Sequence, residues 1–344
     1  MKDLLKIPIE EISQAGEARR LTVPFCRLLN FSEVDIGRVS IIITEAATNL
    51  ARHATGGELL IRSLECGGVR GLEILAIDRG PGMANPGRCQ QDGVSMAGSP
   101  GTGLGAIVRT SDEFDIYSEP GRGTVMMSRY WAARLPRDLL ARPLKIGIVC
   151  LPMADADPCG DGWAVEQERR RSLLLVCDGL GHGLEAAEAS REAERLFRNH
   201  RARPVPEMVE VLHAGLRSTR GAAVAVLEVD HVHAVARFCG IGNIAARLIT
   251  SSGERNLVSH NGIAGHEARK IQEFTYPWDD SGLLVMHSDG LATKWRLADY
   301  PGLGLRHPSV IAGVLHRDFK RGRDDSTVVV AKKRRRHDAS DYQS

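Results

Sequence analysis

The run Leu173-Leu174-Leu175-Val176-Cys177-Asp178-Gly179-Leu180-Gly181-His182-Gly183 is five apolar or thiol side chains ending in a carboxylate, followed by a glycine-rich turn. An apolar run of this length bounded by turn residues predicts a buried strand, with Asp178 at its exit. The idea recurs in Leu283-Leu284-Val285-Met286-His287-Ser288-Asp289-Gly290, and in reverse in Arg323-Asp324-Asp325-Ser326-Thr327-Val328-Val329-Val330. Cys159-Gly160-Asp161-Gly162 precedes another such run. One Asp-Gly alone is an ordinary turn. Several acids at strand ends can converge at one sheet edge, and an all-oxygen set selects Mg²⁺ or Mn²⁺ over zinc. Two such ions lower the pKa of a water and clamp phosphate oxygens, so no Ser or Cys nucleophile is needed.

The first half of the chain carries different equipment. Glu45 and Asn49 sit four residues apart on a predicted helix, so they share a face. An amide oxygen there can ligate Mg²⁺ while a carboxylate polarises a hydroxyl. Asp78 ends the predicted strand 71–78 and is followed by Arg79-Gly80-Pro81-Gly82. Its carboxylate can accept from an exocyclic amine such as that of adenine, and the glycines let backbone approach the base. Gly101-Thr102-Gly103-Leu104-Gly105 opens a predicted helix over 103–111, whose free N–H groups suit a phosphate. No Lys follows, so this is neither a Walker loop nor a dinucleotide fingerprint. The order and spacing of the three elements carry the signal.

The first 130 or so residues resemble the GHKL ATPase/kinase superfamily, with Glu45–Asn49 as its N box, Asp78–Gly82 as its adenine box and Gly101–Gly105 as its phosphate box. Arg122-Gly123-Thr124 resembles its last short motif, and Ile43–Ala54 (ITEAATNLARHA) resembles the serine kinases of bacterial partner switching. That resemblance implies Glu45 as general base, Asn49 as Mg²⁺ ligand, Asp78 as adenine anchor, and Gly80, Gly82, Gly101, Thr102, Gly103, Leu104, Gly105 and Thr124 as nucleotide contacts. No phospho-accepting histidine segment precedes the motifs, which argues against a sensor histidine kinase. Residues 145–332 resemble the SpoIIE-like branch of the PP2C protein phosphatases. Here the resemblance implies Asp178 bridging two metals, the Gly179 carbonyl ligating one, Asp289 and Asp324 completing the second site, and Asp161 holding a metal-bound water. Asp325 can exchange roles with Asp324. His182 can serve as an acid or as a structural hydrogen-bonder, and Gly240-x-Gly242-Asn243 is a structural turn.

The expected fold is α+β: a GHKL (Bergerat) α/β sandwich over 1–132, a linker at 133–143 containing Pro136 and Pro143, a PP2C-like α-β-β-α sandwich over 144–332, and a basic, disordered tail at 333–344. A length of 344 residues suits two cores better than one. Ser32 with Asp35 predicts a capping box opening a helix over 33–54, with Val34, Val39, Ile42, Ala46 and Leu50 on its apolar face. The unperiodic stretch 83–100 is expected to form a lid. A late helix is expected at 308–318.

A net charge of +2 provides no global field toward nucleic acid or membrane, and Lys332–Arg336 reads as a solvated tail. Seven cysteines without a C-x-x-C pair, several in apolar runs, fit a reducing cytoplasm. MKDLLKIPIEE has no signal-peptide core, and no membrane span is expected. The resulting expectation is a bifunctional regulator. It phosphorylates Ser or Thr on a STAS-domain switch protein using ATP and Mg²⁺, and it removes phosphate using two Mg²⁺ or Mn²⁺. A sigma factor or an upstream regulator is the further expected partner. The alternative is a PP2C phosphatase whose first domain is a non-catalytic ATP sensor or an anti-sigma-factor binding module.

Overall fold

A computed structural model of the protein describes residues 4–87, 103–136, 142–153 and 158–334. Gly101, Thr102, Cys89, most of the expected lid and the tail from residue 335 lie outside the described residues. The described chain falls into two units. The first holds residues 4–136 together with 305–317, and the second holds 142–304 and 318–334. Segment 305–317, which the sequence places in the second domain, thus belongs to the first unit.

The first unit is a helix-on-sheet sandwich. Strands β1 (Leu4–Ile9), β2 (Gly57–Cys66), β3 (Val69–Ile77), β4 (Glu113–Ser118) and β5 (Thr124–Trp131) form one antiparallel sheet in the order β1-β2-β3-β5-β4. Helices α1 (Ser13–Leu28), α2 (Glu33–His53) and α3 (Gly103–Thr110) supply the other layer. The capping box is formed reciprocally: the Asp35 N–H donates to Ser32 Oγ and the Ser32 N–H donates to Asp35 Oδ2. Such a cap stabilises a helix by about 1 kcal/mol. The apolar face of α2 runs through Ile36, Val39, Ile42, Ile43, Ala46, Ala47 and Leu50. Val34, expected on that face, is 67% exposed, because it precedes the stripe and is out of phase with it.

Strand alternation gives the sheet two buried faces. Leu72, Ile74 and Ala76 of β3 join Met126 and Tyr130 of β5 in the core beneath the helices. Leu75, Ile77, Val125 and Met127 are also buried, on the opposite face. Helix α6 (Pro308–Phe319) lies there through its residues up to Arg317. A Cβ added at Gly313 would stand 2.8 Å from Val125 Cγ1, a closeness only glycine allows.

The second unit stacks two five-stranded antiparallel sheets. One has the order β15-β10-β9-β8-β7 and the other β12-β11-β16-β17-β6. Their strands are β6 (Leu144–Leu151), β7 (Asp161–Gln167), β8 (Arg171–Gly179), β9 (Ala222–Asp230), β10 (Val235–Ile241), β11 (Ala245–Thr250), β12 (Gly253–Asn256), β15 (Phe274–Pro277), β16 (Leu283–His287) and β17 (Ser326–Lys333). A short hairpin of β13 (Gly262–Ile263) and β14 (Glu267–Ala268) stands apart. In β8, Leu174 and Val176 enter the core between the sheets, while Leu173, Leu175 and Cys177 pack with α4 (Leu184–Asn199) and α5 (Val205–Gly215). Lys332 and Lys333 belong to β17 and pair with β6. Among the described residues no helix is long and apolar enough to cross a membrane.

Candidate nucleotide and metal sites

In the first unit, Glu45 and Asn49 are half-buried on α2 and face the start of α3. A Cβ at Gly103 would lie 2.7 Å from Glu45 Oε2 and 3.5 Å from Asn49 Oδ1, so the glycine is what lets the helix start approach both groups. Asp78 is buried at the exit of β3. Its Oδ1 accepts from the Gly80 N–H at 2.7 Å and the Thr124 N–H at 3.2 Å. Both bonds fall on one oxygen, which leaves Oδ2 for an exocyclic amine. Burial raises the Asp78 pKa despite these donors. The Thr124 N–H thereby meets the Asp78 carboxylate, and its hydroxyl pairs with Ser118 Oγ at 2.9 Å. Leu104 packs at the edge of the core, and Gly105 is buried within α3. The structure therefore brings Glu45, Asn49 and Gly103 together at one place, and Asp78, Gly80 and Thr124 at another.

In the second unit, Asp161 opens β7 and is the cross-strand partner of Asp178 in β8. Burial, then the facing Asp178 carboxylate, hold the Asp161 carboxyl well above the usual carboxylate range. Burial, then Asp289, Asp324 and Asp325, push Asp178 up to about 7. Asp324 is also raised, by burial and then by Asp289. Among the described residues no group of three or more His, Cys, Asp or Glu side chains is drawn together tightly enough to hold a metal as it stands. The raised carboxyls show that the acids are nonetheless close enough to repel one another. Asp289 Oδ1 is buried without a hydrogen-bond partner, and a carboxylate oxygen so placed suits a hard cation.

The surrounding bonds distinguish ligand candidates from scaffolding. Both oxygens of Asp325 are taken: Oδ1 accepts from the Met153 N–H at 2.7 Å, and Oδ2 accepts from the Gly160 N–H. Asp325 is 3% exposed and ties the entry of β17 to the turn before Asp161. Asp324 accepts the Asp325 N–H at 2.9 Å, and its carboxyl lies against Asp289, the side on which the other candidate ligand stands. Asn243 Nδ2 donates to Asp289 Oδ2 at 2.8 Å, so the turn read as structural orients a candidate ligand directly. Ser288 Oγ donates to Asp161 Oδ2 at 2.6 Å, a link the sequence reading missed. An alcohol beside Asp289 in the motif is its only local sign. His287 Nδ1–H donates to the Ser288 carbonyl and Nε2 accepts from Trp295 Nε1, which fixes the end of β16. The Gly179 N–H donates to the Gly160 carbonyl at 3.1 Å, keeping the two turns together. His182 is exposed in the turn before α4.

Comparison with known proteins finds two families along the chain. Residues 10–129 match the family described as histidine kinase-like ATPase domain, and residues 168–334 match the stage II sporulation protein E (SpoIIE) family. The serine/threonine-protein kinase RsbT of Bacillus subtilis (strain 168) is 35% identical over 114 residues, covering 33% of this chain and 86% of that protein. A chain from the structure described as "The bacterial stressosome: a modular system that has been adapted to control secondary messenger signaling" is 26% identical with a TM-score of 0.52. The match covers 55% of this chain and 99% of that one. The PP2C phosphatase domain of SpoIIE from Bacillus subtilis, solved with a fragment of its regulatory domain, is 15% identical with a TM-score of 0.48, covering 93% and 95%. The first unit thus carries an ATPase-like domain and the second a SpoIIE-type domain.

Proposed function

Since the chain belongs, through its first unit, to the histidine kinase-like ATPase family that includes RsbT, and carries in its second a SpoIIE-type PP2C domain, we propose that it is a bifunctional, cytoplasmic partner-switching regulator. The second unit hydrolyses phosphoserine or phosphothreonine. The observation that carries this is the facing pair Asp161 and Asp178, with Asp289 and Asp324 near enough to raise the Asp178 pKa. Asp178, Asp289, Asp324 and the Gly179 carbonyl hold two Mg²⁺ or Mn²⁺, and Asp161 orients a water. When bound, the cations acidify a water and neutralise the phosphate oxygens. Asn243 aims Asp289, Ser288 aims Asp161, and Asp325 holds the turn that carries Asp161.

The first unit transfers the γ-phosphoryl group of ATP to a Ser or Thr hydroxyl of a STAS-type switch protein. The bond to ADP breaks, the bond to the hydroxyl oxygen forms, and Glu45 takes the hydroxyl proton. Asn49 holds Mg²⁺, Asp78 with Thr124 beside it receives the adenine amine, and Gly101 to Gly105 accommodate the phosphates. The same switch protein, once phosphorylated, is the substrate of the second unit.

Both halves are tested with one recombinant chain and purified switch-protein candidates. Wild type is expected to transfer labelled γ-phosphate and, with Mn²⁺, to release it again. Asn49→Ala abolishes transfer and spares release; Asp178→Ala or Asp289→Ala does the reverse. Transfer that persists in Asn49→Ala removes the kinase assignment, and hydrolysis that persists in both aspartate variants removes the metal assignment.

A further inference from the structure

Segment 305–317 lies inside the stretch that matches the SpoIIE family, yet it belongs to the first unit. Its hold there is polar as well as apolar. Ser309 Oγ donates to Glu73 Oε2 at 2.6 Å, and Glu73 is 1% exposed on β3 between Arg62 and Arg129. Asp115 of β4 accepts from the His307 N–H. At the other end, Arg317 Nη1 donates to the Asp78 carbonyl at 3.2 Å, and Arg79 Nη2 donates to the Arg317 carbonyl. The residue whose carboxylate is the adenine candidate therefore holds α6 by its own backbone.

The chain beyond Arg317 leads directly to the candidate metal acids. The Phe319 carbonyl accepts from the Ala292 N–H at 2.9 Å, and the Arg321 N–H donates to the Gly290 carbonyl at 2.9 Å. Gly290 follows Asp289, and a Cβ there would overlap the Asp325 carbonyl. Asp324 lies seven positions after Arg317. Arg317 lies two positions before the end of α6 at Phe319, so the bonds of Phe319 and Arg321 to the Gly290–Ala292 stretch follow it directly along the chain.

We propose that the adenine-nucleotide pocket is a regulatory site for the phosphatase centre, coupled to it through the Asp78–Arg317 contact and segment 317–324. The proposal rests on the nucleotide and metal readings given above. Coupling between two binding sites is reciprocal and commonly 5-fold or more.

The full-length chain tests it in three measurements: ADP binding by calorimetry, half-saturating free Mn²⁺ for phosphoserine-peptide hydrolysis with and without ADP, and amide exchange over residues 305–323. In wild type, ADP is expected to move the Mn²⁺ half-saturation by about 5-fold or more and to slow exchange in 305–323. Arg317→Ala and Ser309→Ala are expected to bind ADP and hydrolyse substrate, but with the shift reduced below about 2-fold; a reduction in Ser309→Ala alone suffices if Arg317→Ala does not fold. Failure of ADP to bind overturns the nucleotide reading and, with it, this proposal. Binding with no shift and no change in exchange overturns the coupling while the nucleotide reading stands. A shift that persists in Ser309→Ala and Arg317→Ala overturns the route through α6.

Discussion

Asp161 and Asp178 face each other as cross-strand partners in the second unit's sheet. Burial raises both carboxyls, Asp161 further through Asp178 and Asp178 further through Asp289, Asp324 and Asp325. A raised carboxyl pKa costs stability as the proton leaves. Stability is full below the unfolded value of about 3.9 and is lost as pH rises through the folded value, here about 7 for Asp178. Metal-free protein is therefore expected to melt progressively lower from pH 5 to pH 8. Mn²⁺ should raise the melting temperature more at pH 8 than at pH 5, because ligands must be deprotonated. Asp178→Asn should flatten the metal-free profile. Thermal melts in chelator across this range decide the matter, and a flat wild-type profile contradicts the crowding.

The neighbours Asp324 and Asp325 should separate cleanly. Asp324→Ala is expected to weaken metal-dependent hydrolysis at least about 10-fold with little change in melting temperature. Asp325→Ala orphans the Met153 and Gly160 N–H groups, at a cost of about 1–3 kcal/mol for each buried donor. It should lower the melting temperature first. The opposite pattern would exchange the two assignments.

Sequence legibility followed the range of the forces involved. The strand ending in Asp178 and the capping box at Ser32 are local, so period and spacing exposed them. Asp161, Asp178 and Asp289 stood out because each sits near a strand end beside a glycine, and Asp324 because it precedes the apolar run of β17. What escaped were bonds between distant residues: Asp325 to Gly160, Ser288 to Asp161, and Ser309 to Glu73. Nothing around Ser309 signals a partner more than two hundred positions earlier, since α6 reads as an ordinary buried helix from its own residues. The short strands β12 to β15 also escaped, being too brief or too polar to show alternation.

Glu73 carries an acid-stability prediction. Burial pushes its carboxyl up, but Arg62 and Arg129 outweigh burial and hold it well below the usual range. A depressed carboxyl contributes stability above its unfolded pKa of about 4.3, and this is lost as pH falls through the folded value. Glu73→Gln should therefore melt lower than wild type at pH 7, with the gap closing toward pH 3. Glu73→Ala removes the buried carboxylate that Arg62 and Arg129 share, with Arg129 keeping Glu113, and should cost about 3–5 kcal/mol at neutral pH. Chemical denaturation at the two pH values measures both. A gap that widens in acid would reverse the sign assigned to Glu73.

Gly103→Ala isolates the nucleotide site. The new methyl meets the flexible end of Glu45 at 2.7 Å and not backbone, so Glu45 can swing away at little cost to the fold. Its expected effect is a weakening of ADP binding by about 10-fold, that is about 1.4 kcal/mol, with a melting temperature close to wild type. Calorimetry and a thermal melt check the pair of outcomes; unchanged affinity would place the phosphates elsewhere.

The assignment of 305–317 to the first unit bears on how such a chain can be inherited and dissected. A gene recombined anywhere between codons 132 and 143 would release an ATPase half lacking the helix that bonds Glu73 and Asp78, and a phosphatase half carrying a helix without its seat. A cut at the linker is therefore not a cut between the two units: residues 305–317 travel with the second piece of chain, while the Glu73 and Asp78 groups they bond stay with the first.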